Sequence, residues 1–218
     1  MTVYLLPVGR GRFELYSEPP DDADAPPISE GRFRRWAHRA AVRWHLVVDA
    51  ARRGDSAGRV ARWRDRVVCR LAETIAEQRT LWALRNEDHA ALVHPAGMPS
   101  ADARAALDRA LADARRHHGI WLGVDLPLFI VSAVLAPVPG PNVFAYYLAF
   151  RVVGHLLSWR GATRAMKRVT WSLEGDASLA ELASLAVMPR DQRAARVHAI
   201  ATQLNLRRLS AFFQRVAA

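Results

Sequence analysis

Cysteine is nearly absent. Cys69 stands alone, which excludes a disulfide framework and a thiolate metal cluster. Lysine is nearly absent too: Lys167 is the single one against 30 arginines, a usage that goes with GC-rich coding and so with a bacterial source. The chain lacks a G-x-S-x-G elbow, a phosphate-cradling glycine loop and a dinucleotide fingerprint. No two histidines stand at the i, i+4 spacing of a helical zinc site backed by a carboxylate. The expectation is a protein that is not an enzyme and holds no metal or cofactor. The opening Met1-Thr-Val-Tyr-Leu-Leu-Pro-Val has too short an apolar run for a signal peptide and no basic residues before it. Nor are there several apolar stretches of about 20 residues, as a polytopic carrier needs.

What the chain does have is Leu126 to Phe150, 25 residues without a charged side chain, broken in the middle by Pro137-Val138-Pro139-Gly140-Pro141-Asn142. The prolines remove backbone donors and fix φ, so the run predicts two helices joined by a tight turn. From Leu126 to Ala136 there are 11 residues, roughly 16 Å of helix against a hydrocarbon core of about 30 Å. Neither uncharged arm spans. Asp125 lies 12 residues before Pro137 and Arg151 lies 10 after Pro141, so in an antiparallel hairpin they meet near the open end. His155, four residues after Arg151, shares its face. Asp125, Arg151 and His155 are therefore candidates for a buried ion pair or a proton relay. Tyr146 and Tyr147 are interfacial anchors or ordinary core aromatics.

The hairpin is flanked by Arg115, Arg116, His117 and His118 on one side and by Arg160, Arg164, Lys167 and Arg168 on the other. Both flanks are positive, which places both on the cytoplasmic side if the hairpin meets a membrane. His117 and His118 are adjacent, so their side chains are expected to diverge. The net charge of +10 favours anionic partners. A second basic group, Arg52, Arg53, Arg59, Arg62 and Arg66, gathers at the turn of an antiparallel helical pair over 29–93, a candidate patch for phosphates or a solvated helical surface.

The remaining pattern predicts one domain over 1–218, mainly α: a multi-helix bundle around the apolar hairpin, with a small β element. The β element is an N-terminal hairpin over 1–17, Val3–Leu6 and Arg12–Tyr16, which 169–173 can join. Ser100 begins a helix expected to end at Gly119, and the apolar hairpin completes the region 100–161. The region 169–218 holds a strand, short helices over Ser178–Val187 and from Pro189 to about Leu204, and a last helix carrying Leu206, Leu209, Phe212, Phe213 and Val216.

The stretch Leu126-Pro127 … Ala136-Pro137-Val138-Pro139-Gly140-Pro141-Asn142-Val143-Phe144-Ala145-Tyr146-Tyr147-Leu148-Ala149-Phe150-Arg151 … His155 … Gly161-Ala162 resembles the signature of the mitochondrial K+-H+ exchange-related family. The opening Val3-Tyr4-Leu5-Leu6-Pro7 … Leu15-Tyr16 resembles that family's start. The specific resemblance covers about 40 residues, with Pro137, Pro139, Asn142, Tyr147, Arg151, His155 and Gly161 as matching positions. Gly154 departs from it, standing where a Ser is expected. The resemblance implies a membrane-associated accessory of potassium–proton exchange, here on the cytoplasmic face of a bacterial inner membrane, and not a stand-alone carrier. Transport would need a protein partner or a homo-oligomer. Two alternatives stay open: a soluble Arg-rich helical protein binding nucleic acid, and a helical scaffold that contacts another protein through its C-terminal Leu/Phe helix.

Overall fold

A computed structural model of the protein describes residues 1–9, 11–18, 78–134 and 143–217. The basic group Arg52 to Arg66, Cys69 and the turn Pro137, Pro139, Gly140, Pro141 and Asn142 lie outside the described residues, as does most of the expected helical pair over 29–93. The N-terminal hairpin forms as β1 (Thr2–Gly9) and β2 (Arg12–Tyr16), antiparallel, with Tyr4 opposite Tyr16 and Gly9 opposite Arg12. Gly9 and Gly11 flank the turn at φ +94° and +69°. That is backbone space that glycine enters without a Cβ penalty.

Residues 78–84 are helical and lead into β3 (His89–Pro95). This corrects the sequence reading, which ran a helix to about Leu92. The alanines of His-Ala-Ala-Leu-Val-His-Pro favour a helix. The segment is nevertheless one of the two inner strands of a mixed four-stranded sheet of order β2-β1-β3-β4, parallel to both neighbours. Burial between two strands overrides local propensity here. β4 (Thr170–Asp176) joins the sheet as expected, but it pairs with β3 along its whole length, from His89 opposite Thr170 to Pro95 opposite Asp176, and not with the N-terminal hairpin. A parallel β3–β4 pair needs a crossover. Two long helices supply it, α1 (Ser100–Val134) and α2 (Val143–Lys167).

α1 is a second correction. It does not stop at Gly119 but continues through Gly119, Gly123 and Pro127. Gly119 is no left-handed cap; a Cβ there would meet the Trp159 ring at 3.3 Å, so it is a point of close approach to α2.

Alternation along the strands gives the sheet two apolar faces. On one, Val3, Leu5, Ala90, Leu92 and Trp171 pack with Ala103, Leu107 and Leu111 of α1 and Ala162 and Ala165 of α2. On the other, Leu6 and Tyr16 pack under α3 (Ala177–Leu185), α4 (Arg190–Gln203) and α5 (Leu209–Val216). The C-terminal helix is therefore core: Leu206, Leu209, Phe212 and Phe213 are buried within the molecule. This removes the idea that its Leu/Phe face is a free contact surface. Asp176 caps α3 by accepting from the backbone N–H groups of Ser178 and Leu179. The protein is mainly α with a small four-stranded mixed sheet. Among the described residues, 115–134 of α1 and 147–161 of α2 contribute to neither core.

Candidate functional site

The parts of α1 and α2 that leave the sheet pack against each other antiparallel. His118 meets His155, and seven residues further along α1 Asp125 meets Arg151, four residues before His155 in α2. The face that α1 turns inward mixes buried polar side chains with the half-buried Leu122 and Phe129. His118, Asp125 and Ser132 are buried there, at successive intervals of seven residues that stay on one side of a helix. The outward positions are apolar and open: Ile120 is 62% exposed, Leu128 49% and Val131 62%, with Trp121, Val124, Leu126 and Ile130 also exposed. On α2, Tyr147, Phe150, Val153 and Leu156 are exposed, while Leu148, His155 and Ser158 are buried. The outer face thus departs from that of a soluble helical pair, whose outside is polar.

Arg151 and Asp125 make the expected ion pair, Nε of Arg151 donating to Oδ2 of Asp125 at 2.9 Å. The same oxygen faces Nε2 of His155 at 3.4 Å. Arg151 also donates through Nη1 to the Tyr147 hydroxyl at 3.3 Å and lies over the Trp121 ring. Burial works against the guanidinium charge, but the bonds to Tyr147 and Asp125 outweigh it and hold Arg151 above its ordinary pKa. Nδ1 of His155 lies 2.8 Å from Nδ1 of His118. The sequence reading placed His155 beside Asp125 and Arg151 but did not bring His118 to it; His117 and His118 diverge as expected. His117 is exposed and edge-on to His118, with ring centres 5.2 Å apart, while His118 turns inward to α2. The signal available in the sequence was the seven-residue interval from His118 to Asp125.

The surroundings of both inward histidines favour the neutral form. Burial lowers His118 to about 4, with His155 and His117 adding to the effect. Burial also lowers His155; Asp125 opposes the shift, and Arg151 and His117 reinforce it.

Gly161 and Gly154 have packing reasons. A Cβ on Gly161 would overlap the carbonyl group of Leu81, 2.6 Å from its carbon, so the helical residues 78–84 cross α2 backbone to backbone. At Gly154 a Cβ would come within 3.1 Å of the Gln78 side chain. Trp82 lies on the same turn and donates to Ser158 Oγ at 2.9 Å. Tyr147 is exposed and bonded to Arg151; Tyr146 lies in α2 with its side chain outside the described residues. Among the described residues no group of three or more His, Cys, Asp or Glu side chains could hold a metal ion. No helix among them is long and apolar enough to cross a membrane.

The profile of the mitochondrial K+-H+ exchange-related family matches residues 3–169, from β1 through α2. The chain belongs to that family. No curated protein and no solved structure matches the chain significantly.

Proposed function

We propose that the protein is a membrane-associated accessory of potassium–proton exchange that dips its α1–α2 pair into the inner membrane from the cytoplasmic face. It does so without enzymatic chemistry and without acting as a carrier itself. One observation carries the reading: between 118 and 132 the buried side chains of α1 are His118, Asp125 and Ser132, while Ile120, Val124, Leu126, Leu128, Ile130 and Val131 are exposed and Leu122 and Phe129 are half-buried. Ionisable groups in a membrane-embedded helix face the partner helix and pair there. A half-exposed Leu or Val leaving water gains on the order of 1 kcal/mol, so the open side chains together supply a substantial driving force. Arg115, Arg116 and Arg160 are exposed at the base of the pair, where each contributes about 1 kcal/mol of attraction to an anionic surface. Residues 120–134 extend about 22 Å, deeper than one leaflet and short of the roughly 30 Å core. A dipping pair fits that length.

The test is flotation of the full-length protein with vesicles of anionic or zwitterionic lipid, followed by an alkaline carbonate wash. Wild-type protein is expected to float with anionic vesicles and to resist the wash. Leu128→Glu with Val131→Glu, at exposed positions that leave the cores intact, is expected to lose at least about tenfold in partitioning. Full-length protein that stays soluble with every lipid composition would sink the membrane reading. The exchange role is read separately, in inverted membrane vesicles. Removing the protein is expected to slow potassium-driven proton movement, and unchanged flux would remove that role.

A further inference from the structure

The seam holds a feature that membrane seating does not require. Two imidazoles face each other Nδ1 to Nδ1 at 2.8 Å. At that distance two lone pairs repel and two N–H groups collide, so one hydrogen and no more occupies the gap. We propose that His118 and His155 together form a binding site for a single proton, which enters on His118 and leaves its charge on His155 beside Asp125.

The tautomers follow from the neighbours. Oδ2 of Asp125 lies 3.4 Å from Nε2 of His155, and a carboxylate oxygen favours an N–H there over a lone pair. His155 in its neutral form then carries hydrogen on Nε2 and a bare Nδ1. His118 fills the gap with its own Nδ1–H, which leaves the lone pair of Nε2 as the basic position of the pair. An arriving proton bonds to Nε2 of His118. The Nδ1–H bond of His118 breaks, and an H–Nδ1 bond forms on His155. His118 ends neutral in the opposite tautomer. His155 ends as an imidazolium facing Asp125, so one proton has been taken up and its charge has crossed from α1 to α2. A second proton would put two N–H groups into the same gap and forces the rings apart.

The surroundings tune this site from every described element packed on it. On α1, His117 repels the added charge and Asp125 attracts it; on α2, Arg151 repels it and shares Asp125 with it, and Tyr147 holds the far side of Arg151. The helical residues 78–84 bring the uncharged Gln78 and Trp82 to Gly154, one residue before His155. The exposed ring of His117, edge-on to His118, lies on the solvent side of the pair.

The test is a pH titration of the full-length protein labelled with 15N in its histidines. At neutral pH the expected result is an Nδ1–H tautomer for His118, an Nε2–H tautomer for His155, and a scalar coupling between the two Nδ1 nuclei across the hydrogen bond. On acidification both rings should respond at one shared midpoint, because a single proton changes the tautomer of one and the charge of the other. In His118→Phe the His155 midpoint should move by about one pKa unit or more, while His89 and His198 stay where they were. Two independent midpoints, no internuclear coupling, or an unmoved His155 would overturn the proposal. The coupling and tautomers are read on wild-type protein, so they decide the matter even if the variant does not fold. Neither readout depends on lipid, so failure of the membrane reading leaves this test intact.

Discussion

Replacing Arg151 by Gln takes a guanidinium away from a carboxylate whose side chain is 4% exposed, while Arg151 itself is 29% exposed at the rim of the seam. The two halves of the pair are therefore not equivalent. Removing one partner of a buried pair costs about 3–5 kcal/mol, because the other charge is left without compensation. Asp125 keeps His155 at 3.4 Å, which puts Arg151→Gln near the lower end, at about 3 kcal/mol. Asp125→Asn is milder. Arg151 retains the Tyr147 hydroxyl and its place over Trp121 and can turn toward solvent; the loss is about 1.5–2 kcal/mol, the low end for one hydrogen bond to a charged group. In the double variant no unpaired charge remains. Its total loss should fall about 2 kcal/mol short of the sum of the single losses. Urea unfolding of the four proteins, followed by far-UV circular dichroism at pH 7.5, measures the cycle. Additivity within about 0.5 kcal/mol, or a costlier Asp125→Asn than Arg151→Gln, would refute an ion pair set at the boundary of a buried seam.

Acid should loosen the fold through His118. Its pKa is lowered from 6.5 to about 4 in the folded protein and that of His155 is lowered with it, so across that window the unfolded chain holds more protons on the two rings than the folded pair does. Stability is then full above pH 6.5 and falls by about 3 kcal/mol as pH drops to about 4. Thermal melts across that window that are flat for wild type, or as steep for His118→Phe, contradict this. Gly161→Ala should abolish stable folding or cost at least about 3 kcal/mol, since backbone and not a flexible side chain opposes the new methyl. Gly123→Ala, with open space around it, should stabilise α1 by up to about 1 kcal/mol; similar melting temperatures for the two variants would show that the Leu81 crossing is not rigid. Arg193, 3% exposed, donates to the carbonyls of Ala186, Met188 and Ala217 and to Gln214, and stacks on Phe213. Arg193→Met should cost about 3 kcal/mol by stranding those acceptors, and a loss under about 1 kcal/mol in chemical unfolding would say that they rehydrate.

The N-terminal hairpin was legible because its alternation and glycine turn are local. The C-terminal helices were legible because Leu179, Leu182 and Leu185, and Leu209, Phe212 and Phe213, recur at helical steps. β3 was not. Its alanines carry no strand preference, and only the arrival of β1 and β4 on its two sides makes 89–95 a strand. α1 was misread at one residue. Gly119 has the chemistry of a cap, but in this fold it is a notch for Trp159. Whether a glycine ends a helix or admits a neighbour depends on a residue 40 positions away, and nothing local distinguishes the two.

The site was half legible for a related reason. Counting outward from the prolines brought Asp125 to Arg151, because a hairpin fixes which residues meet. His118 escaped because it sat in a basic, histidine-paired flank that read as exposed. An apolar run judged by its uncharged length draws attention to the residues between charges. In α1 the information lies in the polar positions instead. His118, Asp125 and Ser132 repeat every seven residues while Ile120, Val124, Leu128 and Val131 fall between them. Read as a helix with its core outside, the same sequence places His118 on the face of Asp125. It predicts polar groups in the seam, beside Leu122 and Phe129, before any neighbour is known. What it cannot supply is the partner ring. His155 reaches His118 only because Gly119 lets Trp159, one turn further along α2, close against the α1 backbone.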